Sequence, residues 1–176
     1  MPRRSRRPEI CDAAIALAAK GGSHAITHQG IDAYLGIARG STSYYFRTRA
    51  ELIAAVADHI AAQSRATFNE LLAQVPEGQA DLHSDVIEQY MRVLLGERSA
   101  ACRARMALLL DADCGDAQRR ALADCLFSRE AAIALFDDGR DDPAAAATAL
   151  IDSLEGAIVR HTIFALDGDG GPIPAR

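Results

Sequence analysis

Tryptophan is missing from this 176-residue chain, and aromatic residues of any kind make up only 5% of it. No apolar run approaches the roughly 20 residues that a membrane-spanning helix needs. The N-terminus MPRRSRRPE is basic, but no apolar segment follows it, so a secretory signal is not expected either. Cys11, Cys102, Cys114 and Cys125 are scattered, without a Cys-x-x-Cys and without paired histidines nearby, which excludes the common zinc and dithiol patterns. Reduced, mostly buried thiols are the simpler expectation. A glycine-rich phosphate loop is lacking, and His24, His28, His59, His83 and His161 stand beside no nucleophile or metal-ligand motif. The paired carboxylates Asp111-Asp113 and Asp137-Asp138 fall where helix ends and turns are expected, which favours capping or solvated roles over acid–base chemistry. These absences point to a soluble cytoplasmic protein, not an enzyme, with no metal and no cofactor.

What is present is a core and a charge asymmetry. Hydrophobic residues are 49% of the chain, enough to bury a sizeable interior. The net charge of −5 is unevenly spread. Up to Leu52 there are eight basic residues (Arg3, Arg4, Arg6, Arg7, Lys20, Arg39, Arg47, Arg49) against Glu9, Asp12, Asp32 and Glu51, a balance of +4 that leaves −9 for the remainder. A basic head on an acidic body predicts that only the head meets a polyanion.

The stretch THQGIDAYLGIARGSTSYYFRTR, Thr27 to Arg49, has the layout of a helix-turn-helix. Thr27 can cap the first helix of the pair by accepting from a free N–H of its first turn. Ile31 and Leu35, four apart, place two apolar groups on one face. Gly36 can take the left-handed conformation that stops this helix, and Ile37 wedges the turn into the core. A second helix, Ala38 to Phe46, is too short to stand alone. Arg39, Ser41, Ser43 and Tyr45 form a donor-rich outer set suited to a groove of DNA. Ahead of the pair, Arg3 to Arg7 read as a flexible arm for phosphate or minor-groove contact, or as a solvated tail. Pro8 and Glu9 suit the start of a supporting helix that carries Ile10, Ala13, Ala14, Leu17 and Ala18 and ends at Gly21-Gly22. After the pair, Thr48 and Glu51 make a capping box. The spacing of Leu52, Ile53, Val56, Ile60, Phe68, Leu71, Leu72 and Val75 then predicts one long connecting helix from Thr48 to Val75.

The residues Gly36-Ile37, Arg39-Gly40-Ser41, Tyr45-Phe46, Thr48-Arg49 and Glu51-Leu52, in this register, resemble the tetracycline-repressor (TetR) family of bacterial regulators. The likeness is specific from about Ile10 to Ile60 and architectural beyond. It implies an all-α fold: a three-helix DNA-binding domain with a helix-turn-helix, joined by a long fourth helix to an α-helical ligand-binding and dimerisation domain. The expected divisions are 1–47 for the head, 48–166 for the body and 167–176 for a Gly- and Pro-rich tail. Three positions depart from the family pattern. Ala38 stands where Ser or Thr commonly caps the recognition helix, Ser43 where Tyr is common, and Asp32 where Ala usually follows the apolar residue of the second helix. With Ser43 in the place of Tyr, the phosphate-contacting role passes to Tyr45, and Tyr44 is expected to be partly buried.

The expected partner is a double-stranded DNA operator. Arg39 lies early on the recognition helix, where its fork can bond guanine O6 and N7, or else a phosphate. Ser41 and Ser43 can reach bases, phosphates or their own backbone. Gly40 allows close approach to the groove. Thr27, His28, Tyr45 and Arg49 are expected to grip the DNA backbone, which gives affinity and register but little base reading.

In the body, apolar periodicity predicts helices around Leu82–Leu95, Cys102–Leu110, Asp116–Phe136 and, with Asp142 as cap and Pro143 first, Leu150–Phe164. Apolar groups on the last two exceed one narrow stripe, and the resemblance implies a homodimer built from two such hairpins. A dimer also suits a helix-turn-helix that reads two half-sites. A small-molecule effector is expected between the body helices, near Phe68, His83, Tyr90, Met91, Leu94, Met106 and Leu110, with ordinary core as the rival role for each. The function expected is a homodimeric repressor released by that effector. Two alternatives use the same chain differently: a thiol-responsive DNA-binding regulator using Cys102, Cys114 or Cys125, and a helical protein-interaction module, against which the basic head argues.

Overall fold

A computed structural model describes residues 5–74, 83–134, 136 and 141–164. Among these residues the chain is all-helical, without a strand. The first helix, α1 (Arg7–Gly21), buries Ile10, Cys11, Ala13, Ala14, Ile15 and Ala18, and Gly22 ends it by donating its N–H to the Ala18 carbonyl at 2.9 Å. Arg7 was expected in a flexible arm. It is instead the first residue of α1, with its guanidinium 4.4 Å from the centre of the Phe46 ring, a cation–π contact. Arg3 and Arg4 lie outside the described residues, as does the expected tail 167–176.

A short 3-10 turn (Ser23–Ala25) leads into α2 (His28–Leu35). Thr27 caps α2 by accepting from the Gly30 N–H at 3.0 Å, and Gly36 closes it in the left-handed region at φ 64°. The following helix, α3 (Ser41–Tyr45), starts three residues later than the expected Ala38. Its start is set by Gly40, whose φ of 91° no side-chain-bearing residue adopts comfortably. Next comes α4 (Arg49–Leu72), 24 residues long and so about 36 Å at 1.5 Å per residue. Thr48 caps it, accepting from the Glu51 N–H at 3.1 Å. Glu51 reaches back to the Arg47 N–H at 2.8 Å, one residue before the cap.

The body comprises α5 (His83–Leu95), α6 (Ser99–Leu109), α7 (Asp116–Ala123), α8 (Arg129–Ala134) and α9 (Pro143–Phe164). One helix was expected from Asp116 to Phe136, with Asp116 as its cap. The chain instead breaks between Ala123 and Arg129, and Gly115 holds the cap position. Arg105 causes the break from outside: its Nε donates to the Leu122 carbonyl at 2.6 Å and its Nη2 to the Ala123 carbonyl at 3.1 Å. Those carbonyls terminate α7, and the Ser128 hydroxyl then starts α8 by accepting from the Ala131 N–H. The same arginine forms a bidentate ion pair with Glu155 of α9, both bonds at 2.9 Å. Asp142 caps α9 as expected, accepting from the Ala145 N–H at 2.9 Å.

Two apolar cores result. The first joins α1, Ile31, Phe46 and the near half of α4 to Ala101, Ala104 and Leu108 of α6 and Leu122 of α7. The second gathers Ala61 and Leu71 of α4 with Val86, Tyr90, Leu94, Cys102, Cys125, Leu126 and Ile158. The first core runs continuously from head into body, so α1 rests on α6 as firmly as on its own α2 and α4. None of the described helices is long and apolar enough to cross a membrane.

Candidate nucleic-acid interface and ligand cavity

In the head, α2 and α3 meet at the Gly36 turn and present one exposed polar face. Arg39, Ser43, Tyr44 and Arg47 are exposed on it, with Thr27 at its edge. Of the residues expected to meet DNA, Arg39 and Ser43 are therefore free to reach outward. Ser41 is half-buried and donates its hydroxyl to the Ala38 carbonyl at 2.5 Å. Gly40 serves backbone geometry, as its φ requires. His28 donates from Nε2 to the Phe46 carbonyl at 2.7 Å, tying the start of α2 to the end of α3.

The two tyrosines exchange the places expected for them. Tyr44 is 84% exposed, whereas Tyr45 is half-buried and packs on the first core. The reason is the late start of α3: Thr42 and Phe46, four apart, are the inward pair, Tyr45 lies beside them, and Tyr44 points away. The rings stack edge to face with centroids 5.3 Å apart.

Arg49 is also not where it was expected. Its guanidinium donates to both carboxyl oxygens of Asp111 at 3.0 and 2.7 Å, to Asp113, and to the Ser23 carbonyl at 3.0 Å. The Arg49 guanidinium, opposed by burial, holds the Asp111 carboxyl well below the usual carboxylate range; the Ser23 hydroxyl and the Asp113 N–H add to the effect. With these partners, Arg49 links the head to the α6–α7 turn rather than standing free for a phosphate.

Asp32 was the residue that sequence reasoning missed. It is 3% exposed, and its Oδ2 accepts the Gly40 N–H at 2.6 Å while Oδ1 accepts the Thr42 N–H at 2.9 Å and the Thr42 hydroxyl at 2.7 Å. Burial alone would push this carboxyl upward; the three bonds from Thr42 and Gly40 outweigh it and leave it lowered, hence ionised. The signal was present as two departures that explain each other. Ala38 cannot cap α3, and Asp32 on the neighbouring helix does so.

In the body, α4, α5, α8 and α9 enclose a cavity of about 290 Å³. Its wall is Phe68 and Leu72 of α4, Val86 and Ile87 of α5, Phe127 and Ser128 of the α7–α8 break, alanines of α8, and Leu150, Ile151 and Leu154 of α9. Ser128 is the only polar group in that wall among the described residues. Of the described residues expected there, only Phe68 lines it. Tyr90 sits behind the wall, edge-on to Phe68 and Phe127 at 5.2 and 6.0 Å, with its hydroxyl donating to the Ser64 carbonyl. Met91 is half-buried against the second core, and Leu94 is buried within it. Met106 is half-buried on α6, away from the cavity. Leu110 is 89% exposed just beyond the end of α6, because α6 stops at Leu109 and turns it outward. His83 opens α5, and its side chain lies outside the described residues. Periodicity along α5 and α6 selected core residues; the α7–α8 break, α8 and α9 supply most of the wall instead.

A family model described as bacterial regulatory proteins of the tetR family matches residues 10–56, which span α1 to the first turns of α4. The whole chain is similar to the structure of a TetR-family member from Streptomyces coelicolor A3, SCO1917, with 25% identity over 93% of this chain and 90% of that one, and a TM-score of 0.63. The head, residues 10–56, is a tetR-family DNA-binding domain, and the chain as a whole is similar in fold to TetR-family structures. It is a DNA-binding transcription regulator, and α2 with α3 is its helix-turn-helix. The multidrug binding protein EbrR is also similar: 26% identical in its ethidium complex (95% of this chain, 92% of that one, TM-score 0.58) and 29% in its malachite green complex (90%, 88%, 0.58). No curated protein matches the chain.

All four cysteines are buried and unpaired. Burial pushes Cys11 and Cys102 up to about 11, and raises Cys114 and Cys125 as well. Thiols held this far from the thiolate react slowly with peroxide, which weighs against a redox-sensing role. Among the described residues, no cluster of three or more His, Cys, Asp or Glu could hold a metal ion.

Proposed function

We propose that this regulator is a homodimeric repressor released from its operator by a small apolar effector bound in the α4–α5–α8–α9 cavity. The observation that carries the reading is the cavity itself, an apolar space of about 290 Å³ with a single hydroxyl in its described wall. It is close to the size and character of ordinary small-molecule sites. Likeness to EbrR, solved with ethidium and with malachite green, adds support for a flat aromatic ligand. Phe68 and Leu72 in the wall belong to the same rigid helix that begins at Arg49 in the head. An effector that favours one tilt of α4 would shift the population toward one spacing of the two heads, and it does so only through that differential affinity. Repression needs only tight occupancy of the operator. The dimer is assigned to α8 and α9, bringing two heads onto half-sites about 34–36 Å apart.

On DNA, Arg39 and Ser43 are assigned to base edges, and Thr27, Tyr44 and Arg47 to phosphates. Protection mapping on DNA flanking the gene tests this, with ethidium added as a trial effector. A palindromic footprint that ethidium erases with native protein but not with a cavity-filling Leu154→Trp variant is the expected result, since ethidium intercalating into the DNA would act on both alike. A footprint unaffected by ethidium in the native protein, or erased alike with the variant, would remove the effector role. Absence of any footprint at low salt would remove the operator.

A further inference from the structure

We propose that Asp32 is the positioning residue of the DNA-reading helix: it touches no DNA, yet it sets the angle at which α3 presents Ser43 and Tyr44. Five residues of helix cannot hold themselves in place, and α3 has no side-chain cap of its own. Both of its ends are held by α2. Asp32 accepts the Gly40 N–H, the Thr42 N–H and the Thr42 hydroxyl at the front, and His28 donates to the Phe46 carbonyl at the back. His28 and Asp32 are four apart and so stand on one face of α2, as two jaws separated by one helical turn.

The front jaw is the exacting one. A buried carboxylate is costly unless its lone pairs are filled, so Asp32 tolerates only the placement of α3 that supplies all three donors. Its charge also lies at the positive end of α3 and is shielded from phosphates by burial. A hydroxyl cap on residue 38 would satisfy one N–H but would tie α3 only to its own loop. Asp32 ties it to the rigid body of α2.

The test compares native protein with Asp32→Asn, with Asp32→Ala and with the double variant Asp32→Ala, Ala38→Ser. Two duplexes are used: one that the native protein selects from a random pool, and a random duplex of equal length. Asn keeps the shape of Asp, but either orientation of its amide sets an NH2 against the N–H of Gly40 or of Thr42. Asp32→Asn is expected to weaken binding to the selected duplex by about tenfold or more while random-duplex binding changes by less than about threefold. Amide exchange of Gly40 to Tyr45 accelerates, and protection in α1 and α4 stays as it was. In the double variant, a hydroxyl at position 38 can accept the freed Gly40 N–H two residues on, which restores part of the lost discrimination. The proposal is overturned if Asp32→Asn keeps the native ratio between the two duplexes, or if both affinities fall together with protection in α1 and α4, which marks a merely structural role. It is equally overturned if the double variant discriminates no better than Asp32→Ala alone.

Discussion

The two ends of the molecule share an apolar core and differ in what is added to it. In the head, directional polar contacts fix the reading face on that core: the Thr27 and Thr48 caps, the two jaws of α2, and Arg49 gripping Asp111. In the body, apolar packing dominates, the helix α7–α8 is interrupted, and a void remains between helices. DNA is a rigid repeating partner, so a face that reads it gains from being immobile. A small ligand needs space inside, and space forfeits the close packing that stabilises a core. Arg105 shows how the body limits that loss, since one buried side chain fixes the α7 terminus, the helix break and α9 together.

The strongest way to break the comparison is to remove the head's buried aromatic. Phe46→Ala is expected to cost about 3–5 kcal/mol, because its ring is fully buried in the core shared with α6. Urea unfolding should show the loss, and it should reach the body if the shared core unfolds as one unit; a body melting at its native midpoint would separate the two regions. Next, Arg105→Ala strands Glu155 and two helix-end carbonyls. A loss of about 3 kcal/mol is expected, with DNA binding by the folded fraction unchanged.

A smaller effect comes from the Arg49–Asp111 pair. Asp111 is depressed in the folded state, so its contribution is whole above the ordinary carboxylate value of 3.8 and is lost as pH falls below it. Asp111→Asn should leave a shallower fall in stability from about pH 5 downward, and equal slopes in native and variant would deny the link any role. On the DNA face, Tyr44→Phe should weaken binding to all duplexes alike by about threefold to tenfold, as a phosphate contact does. Arg39→Ala should instead relax preference at one base position, which binding to a set of point-mutated sites reads directly. The smallest expected effect is none: mild peroxide should leave DNA binding unaltered, since all four thiols are buried.

How much was legible follows from the range of the forces involved. Caps act between residues three apart in the chain, so Thr27, Thr48 and Asp142 could be read by eye. The Gly36 turn is a local steric fact, and α1, α2, α4 and α9 fall where their periodicity and end signals put them. Asp32 was visible only as an oddity, because its meaning lies eight and ten residues away on another helix. The tyrosines were misassigned for a similar reason: a cap that begins α3 late rotates every later side chain. Arg49 looked like a DNA contact by its place in the motif, yet its carboxylate partners lie 62 and 64 residues further on.

Sequence by itself determined the all-helical class, the helix-turn-helix and the charged head, because each rests on spacing, steric preference or composition within a short window. Only the tertiary structure decided which tyrosine faces outward, where α7 ends, what Arg49 holds and which residues enclose the cavity. Those outcomes depend on carbonyls, carboxylates and apolar faces brought together from distant parts of the chain, and no local pattern records who their partners will be.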